Sequence, residues 1–256
     1  MYVIKFKGLN LASNKKKVSN SKIVFLFYGI GNSSNDFNFL LKNVKKGYQL
    51  IIPELPGHNN DNYTRRNFSL EDFSKRLSLF IKKKNIVNVS FFSHSVGGII
   101  PILIAKNIKR KVNINKFINY EGNLTEHDTN TITKKTANYK IEEFNRKFKI
   151  LIERCQSSEQ KSIKRWSSSL KKVNSSAFHV ISCDAVNYSR KRKLLNFFRI
   201  FFKKKIYLFG SNSNLGIPEY SFGSRRFSIK RCGHFAFFEN SYKFSLIFSK
   251  LIYGRI

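Results

Sequence analysis

The sequence predicts an α/β protein with a mainly parallel central sheet flanked by helices and one helical insertion. Three observations predict it. Short apolar runs of strand composition alternate with helix-like segments, the arrangement that yields a parallel sheet covered on both faces. The 256 residues suffice for one large domain, and 41% hydrophobic content argues for a folded globule even with 25% charged residues. In Phe91-Phe92-Ser93-His94-Ser95-Val96-Gly97-Gly98 the Ser95 hydroxyl lies among small residues between two apolar runs, as at a sharp strand-to-helix corner.

Taken in order, Tyr2 to Phe6 reads as the first strand. Lys22 to Tyr28 reads as a buried strand that stops at the small-residue turn Gly29-Ile30-Gly31-Asn32-Ser33-Ser34. Tyr48 to Ile52 is another strand, running into Pro53-Glu54-Leu55-Pro56-Gly57-His58 and an asparagine-rich loop. Ser69-Leu70-Glu71-Asp72-Phe73 reads as a helix start with acids in its first turn, and Phe73, Leu77 and Phe80 form one apolar face. Ile86 to Phe92 has strand composition, and Gly98 to Ala105 suits a buried helix that tolerates Pro101 near its start. A strand that starts at Lys116 and ends at Glu121 leads into Gly122-Asn123, after which the helical segment is inserted. From Leu124 to about Phe202 the chain turns polar and helix-prone, with Trp166 its one tryptophan, as a helical lid would. Lys205 to Gly210 and Arg226 to Ile229 resume as strands, Gly233-His234 opens a loop, and Phe244, Ile247, Phe248, Leu251 and Ile252 mark a last helical stripe. The expected division is a core of residues 1–123 and 203–256 with a lid at 124–202.

The net charge of +33, from 48 Lys and Arg against 15 Asp and Glu, invites a polyanion-binding reading, which counterion release would make steeply salt-dependent. The alternative is compositional drift, since Lys, Asn, Ile, Phe, Tyr and Ser dominate throughout. The excess lies in short clusters such as Lys15-Lys16-Lys17, Lys82-Lys83-Lys84, Arg190-Lys191-Arg192-Lys193 and Lys203-Lys204-Lys205, placed between apolar segments as solvated turns and helix ends are. No nucleic-acid signature accompanies it, so nucleic acid is not the expected partner. Cys155, Cys183 and Cys232 have neither metal spacing nor an even count, which implies a reducing compartment, no disulfide framework and no metal site, and no cofactor is expected. The lysine-interrupted N-terminus lacks a signal-peptide core, and no run approaches the roughly 18 to 20 apolar residues of a membrane span; a cytoplasmic location is expected.

The corner at Ser95, its place among the other segments and the late histidine together resemble the α/β-hydrolase superfamily over essentially the full chain. Tyr28-Gly29-Ile30-Gly31 is similar to the family's His-Gly turn, with tyrosine in place of histidine. Glu54-Leu55-Pro56-Gly57-His58-Asn59 is similar to its Asp-x-Pro-Gly-His-Gly turn, and Ser93 stands where the elbow's leading glycine is usual. Tyr120-Glu121-Gly122-Asn123, Tyr207 to Gly210 and Cys232-Gly233-His234-Phe235 resemble one subgroup.

A serine hydroxyl needs an adjacent base, itself oriented by an acid, to act as a nucleophile. Ser95 is the candidate nucleophile and His234 the base, for of five histidines it alone follows the last strands in a glycine-preceded loop. His94 is expected to be a structural part of the elbow; His58, His127 and His179 read as turn or lid residues. For the acid, the loop from Gly210 to Gly216 holds no carboxylate, and Glu219 lies only fifteen positions before His234. Glu121, at the end of the strand after the elbow helix, faces the crevice where this architecture binds ligands, and Asp184 in the lid is the alternative. The resemblance implies backbone donors for an oxyanion at Ile30 and Val96. Tyr28, Asn32 and Trp166 are candidate substrate-binding residues. The lid aromatics Phe144, Phe148, Trp166 and Phe178 read either as a cover for substrate or as the lid's own core.

The implied activity is hydrolysis of a carboxylic ester or thioester through an acyl-enzyme on a Ser-His-Glu triad. The expected partner is a small-molecule acyl compound, which an acidic acyl carrier protein could present, as in pimeloyl-carrier methyl ester cleavage. The competing reading is a non-catalytic relative that binds polyanions through its basic surface.

Overall fold

The computed structural model describes residues 1–19, 21–60, 68–108, 112–130, 132–190, 193–213 and 223–254. Glu219, the far part of the loop after Gly210, most of the asparagine-rich loop after His58, and Lys191 and Arg192 lie outside them. Eight strands form one sheet: β1 (Tyr2–Phe6), β2 (Leu9–Ser13), β3 (Lys22–Phe27), β4 (Tyr48–Pro53), β5 (Asn88–His94), β6 (Asn113–Tyr120), β7 (Lys205–Gly210) and β8 (Arg225–Ile229), in the order β1-β2-β4-β3-β5-β6-β7-β8. β1, β2 and β4 pair antiparallel and β4 through β8 pair parallel.

The strand that sequence reading missed is β2. It closes a hairpin with β1 through the two-residue turn Lys7-Gly8, both at positive φ (44° and 77°). Such a turn is usually announced by Asn-Gly or Asp-Gly, and lysine conceals it. Elsewhere strand ends move by one to three residues; the strand before Glu121 stops at Tyr120.

The helices are α1 (Asn38–Lys42), α2 (Leu70–Lys83), α3 (Ile99–Ile108), α4 (Ile132–Ala137), α5 (Ile141–Gln156), α6 (Lys161–Leu170), α7 (Ser175–Arg190), α8 (Lys193–Phe201), α9 (Ala236–Glu239) and α10 (Ser241–Tyr253). α2 begins where its sequence says: Ser69 Oγ accepts from the Asp72 N–H, and Phe73, Leu77 and Phe80 are fully buried. Adjacent residues of β5 point to opposite faces of the sheet. Phe91 therefore meets Phe25, Phe117 and Phe202 on one side, while Phe92 meets Phe244 and Phe248 of α10 on the other. Both faces are covered, and β5 lies at the centre of the core.

All of α4 to α8 falls between β6 and β7, within residues 124–202. Phe144, Phe148 and Phe178 pack on one another with ring centroids 5.4 to 5.7 Å apart, forming a core within that segment. α8 returns to the sheet, where Phe198 lies 5.4 Å from Phe117. Among the described residues no helix is long and apolar enough to cross a membrane.

Candidate active site

β5 ends at His94, and Ser95 follows at φ 54° before a 3-10 turn that runs straight into α3. A left-handed conformation costs a non-glycine residue about 1 kcal/mol or more and persists only where surrounding contacts impose it. The sheet supplies them. Register places Ser93 opposite Asn119, and Ser93 Oγ donates to Asn119 Oδ1 at 2.9 Å. The Asn119 amide then donates to the Gly122 carbonyl (3.2 Å), and the Asn123 N–H donates to the Ser95 carbonyl (3.0 Å). Serine in place of the elbow's usual glycine thus has a partner built for it.

At the end of β6, Glu121 takes φ 42° and its N–H donates to the Leu208 carbonyl (3.0 Å), so the carboxylate leaves the sheet toward the ends of β7 and β8. A buried carboxylate needs compensating donors. Glu121 Oε1 accepts from the Gly210 N–H (2.8 Å); Oε2 accepts from Ser213 Oγ (3.0 Å) and lies 2.6 Å from His234 Nδ1. Because that partner is a carboxylate, Nδ1 carries the proton and Nε2 keeps its lone pair. Tyr120 Oη donates to the Gly233 carbonyl (2.5 Å) and accepts from the Ala236 N–H (3.1 Å), which fixes the histidine loop. His94 adds a third tie. Its Nε2–H donates to the His234 carbonyl (2.9 Å) and its ring lies 4.4 Å from that of His234. Burial, then the neighbouring His234, depresses the His94 pKa well below the ordinary histidine value and keeps the ring neutral.

Ser95, His234 and Glu121 line one cavity of about 910 Å³, together with Ile30, Asn32 and Trp166. The turn after β3 backs directly onto Ser95: a Cβ on Gly29 would lie 2.9 Å from Ser95 Cβ. Val96 is buried beneath the corner, with its N–H in the first turn, where backbone donors lack intrahelical partners. Trp166 Nε1 donates to the Ile30 carbonyl (3.1 Å). The Asn32 amide donates to Asp36 (3.0 Å), which also accepts from the Ser33 N–H (2.9 Å) and from Ser169 Oγ of α6 (2.7 Å). Among the described residues no cluster of three or more His, Cys, Asp or Glu is arranged to hold a metal ion.

Two residues singled out from the sequence are placed elsewhere. Tyr28 does not line the cavity. Fully buried, its Oη donates to Glu54 Oε2 (2.5 Å) and accepts from the Leu55 N–H (2.8 Å). Asp184 does not reach the cavity either, because its carboxylate accepts from the Leu70 N–H (2.8 Å) at the start of α2. Sequence reading in turn passed over His58. Its Nδ1–H donates to the Pro56 carbonyl (3.0 Å) and Nε2 accepts from the Gly31 N–H (3.1 Å), while burial lowers its pKa to about 4. No local motif marks that role, because the partner lies 27 positions earlier.

No model of a known protein family matches the chain. Over 108 residues it is 29% identical to the magnesium-chelatase 30 kDa subunit of Rhodobacter capsulatus, a match that covers 41% of this chain and only 38% of that relative's length. Solved structures align over nearly all of it. MenH from S. aureus superimposes with a TM-score of 0.76 at 13% identity, covering 95% of this chain and 97% of that one. A carboxylesterase of Nitrososphaera gargenis gives 0.74 at 16% identity over 98% of both chains, and an esterase from Exiguobacterium antarcticum gives 0.69 at 14% over 96% and 95%. The chain has the α/β-hydrolase fold.

Within that fold two departures in the turns after β3 and β4, Tyr28 and Glu54, turn out to touch. Tyrosine replaces the usual histidine at Tyr28, glutamate replaces the usual aspartate at Glu54, and the two side chains hydrogen-bond to each other. Glu54 also accepts from Ser34 Oγ, from the Ser34 N–H (3.3 Å) and from the Asn59 amide (3.0 Å). Burial still raises its pKa, and raises that of Tyr28 well above the ordinary phenol value.

Proposed function

We propose that the protein is a serine hydrolase that cleaves a carboxylic ester or thioester of a small molecule. One observation carries the reading: Ser95 stands at a left-handed corner in the same cavity as His234, whose Nδ1 is held 2.6 Å from the buried carboxylate of Glu121. In the proposed reaction Ser95 Oγ attacks the acyl carbon while His234 Nε2 takes its proton, and Glu121 stabilises the imidazolium that results. The Ile30 and Val96 N–H groups receive the negative charge on the carbonyl oxygen. Collapse of the tetrahedral intermediate expels the alcohol or thiol, which takes the proton from His234 and leaves an ester on Ser95. A water molecule, deprotonated by His234, then attacks that ester, and its second tetrahedral intermediate releases the acid and restores Ser95.

The cavity volume suits a small-molecule acyl compound, with residues 124–202 as its cover. Presentation of that acyl group by an acidic carrier protein remains part of the proposal for a chain of charge +33. The competing reading is polyanion binding through the basic surface, of which two cations are tied to carbonyls of the chain: Lys116 Nζ donates to the Leu251 carbonyl (2.9 Å) near the end of α10, and Lys205 Nζ to the Phe202 carbonyl (3.0 Å) just past α8. A fluorophosphonate probe provides the test. It is expected to label the folded protein on Ser95, with labelling and p-nitrophenyl ester hydrolysis both lost in Ser95→Ala by on the order of 10³-fold or more. Folded wild-type protein that takes no label defeats the proposal.

A further inference from the structure

The peptide unit between Ile30 and Gly31 is held at both of its polar ends by rings from distant parts of the chain. Its carbonyl accepts from Trp166 Nε1 of α6 (3.1 Å), and its N–H donates to His58 Nε2 in the turn after β4 (3.1 Å). The Pro56 carbonyl fixes the proton of His58 on Nδ1, so Nε2 is free to accept, and the depressed pKa keeps it in that form. Gly31 takes φ +80°, and a Cβ there would lie 2.6 Å from the Trp166 indole, so this position is cut to receive the tryptophan ring. One helical turn along the same face of α6, Ser169 Oγ donates to Asp36, the carboxylate that also anchors the Ser33 N–H. α6 therefore grips the turn after β3 at two points.

We propose that Trp166 and His58 are positioning residues for the Ile30 N–H, and that α6 must be seated on the turn for that donor to meet the developing oxyanion. The inference rests on the serine-hydrolase reading and extends it. The φ and ψ of Ile30 join the clamped peptide to the preceding one, whose N–H is the donor, so releasing either ring frees that N–H to turn away. The helical segment then completes the catalytic constellation as well as covering it, and activity follows the seating of α6.

The test uses the chain's single tryptophan. Trp166→Phe keeps an aromatic ring and deletes the donor; biosynthetic replacement by benzothienylalanine changes that N–H to sulfur at the same shape and keeps the test valid should the phenylalanine variant fold poorly. The expected result has two parts. The Gly31 amide exchanges with solvent deuterium about tenfold faster by NMR, and kcat for p-nitrophenyl butyrate falls about tenfold with KM within about twofold, because a misaimed donor weakens the transition state and not the ground state. A packing role alone would lower the melting temperature or raise KM and leave kcat in place. Unchanged Gly31 exchange, or a loss confined to KM, overturns the proposal. The exchange arm decides the clamp independently of catalysis, whereas absence of phosphonate labelling in wild-type protein removes the hydrolase reading.

Discussion

The corner at Ser95 and the turn after β3 meet at the Ser95 side chain, yet they are held by different means. The corner rests on its neighbours across one strand: Ser93 on Asn119 in β6, and the Ser95 carbonyl on Asn123, three residues past the end of that strand. The turn has no such support and is tied by side chains from afar, His58 and Glu54 from beyond β4 and Trp166 and Ser169 from α6. The corner's ties run between residues that strand register already sets side by side, so each spans only two neighbouring strands. Geometry imposed by four separate side chains depends on each of them, and on the seating of the segment that carries two.

The largest effect belongs to the sheet-held side. Glu121→Gln can keep an oxygen for the Gly210 N–H, but it puts an amide NH2 where Oε2 faces Ser213 and His234, and it removes the charge that would stabilise the His234 imidazolium in the proposed reaction. We expect kcat/KM to fall on the order of 10³-fold or more, with the thermal midpoint nearly unchanged. A loss below about tenfold in steady-state assays would remove Glu121 from the triad.

On the turn side the corresponding experiment is a pH titration of stability. His58 has a pKa of about 4 when folded against an ordinary 6.5, so between those values the unfolded chain binds a proton that the folded chain does not. Stability from this group is whole above pH 6.5 and drains away as pH falls toward 4, a loss of about 3 kcal/mol at the limit. His94 shifts in the same direction, while the raised carboxyls of Glu54 and Asp36 act oppositely, since the folded chain takes up their protons first. Comparison of wild type with His58→Gln isolates the one group. Denaturant midpoints should fall less steeply from pH 6.5 to 4 in the variant, and identical slopes would show that His58 does not titrate with unfolding.

This contrast also explains what could be read from the sequence. Ser95, Glu121 and His234 stand at strand ends or in the loop after the last strand, where a strand, a turn and an order along the chain are visible in one dimension. Lys7-Gly8 hid β2 because its turn chemistry is atypical. His58 and the packing of Trp166 against Gly31 were hidden because their partners lie 27 and 135 positions away, and a residue held by a distant side chain leaves no periodic mark. Tyr28 was visible as a departure from a family pattern, but only contact with Glu54 gives that departure its meaning. The lid aromatics divided along a line no periodicity reveals, Phe144, Phe148 and Phe178 inward and Trp166 to the cavity.

A smaller effect tests whether the tyrosine and glutamate act as a pair. Tyr28→Phe takes a donor from a buried carboxylate and an acceptor from the Leu55 N–H, and should destabilise by about 2 kcal/mol. Glu54→Gln should cost a comparable amount, and the double variant less than the sum of the two. Strict additivity in urea denaturation would mean that the two departures are independent.

The smallest expected change sits outside the cavity lining and sharpens the comparison through its silence in catalysis. Asp184 accepts from the Leu70 N–H where α2 begins, beside Ser69, which serves the Asp72 N–H. The two side chains share the unpaired donors of one helix start, and loss of such an acceptor costs about 1 kcal/mol. Asp184→Ala should therefore lower the urea midpoint by that amount and leave kcat/KM within about twofold. The partly buried carboxyl has a raised pKa, so wild type already bears some cost of keeping it charged, and the measured loss should fall at or below that figure. Were activity to collapse at full stability, the acid would lie on the helical segment, and the distinction between a sheet-held catalytic set and a side-chain-held turn would fail at its first member.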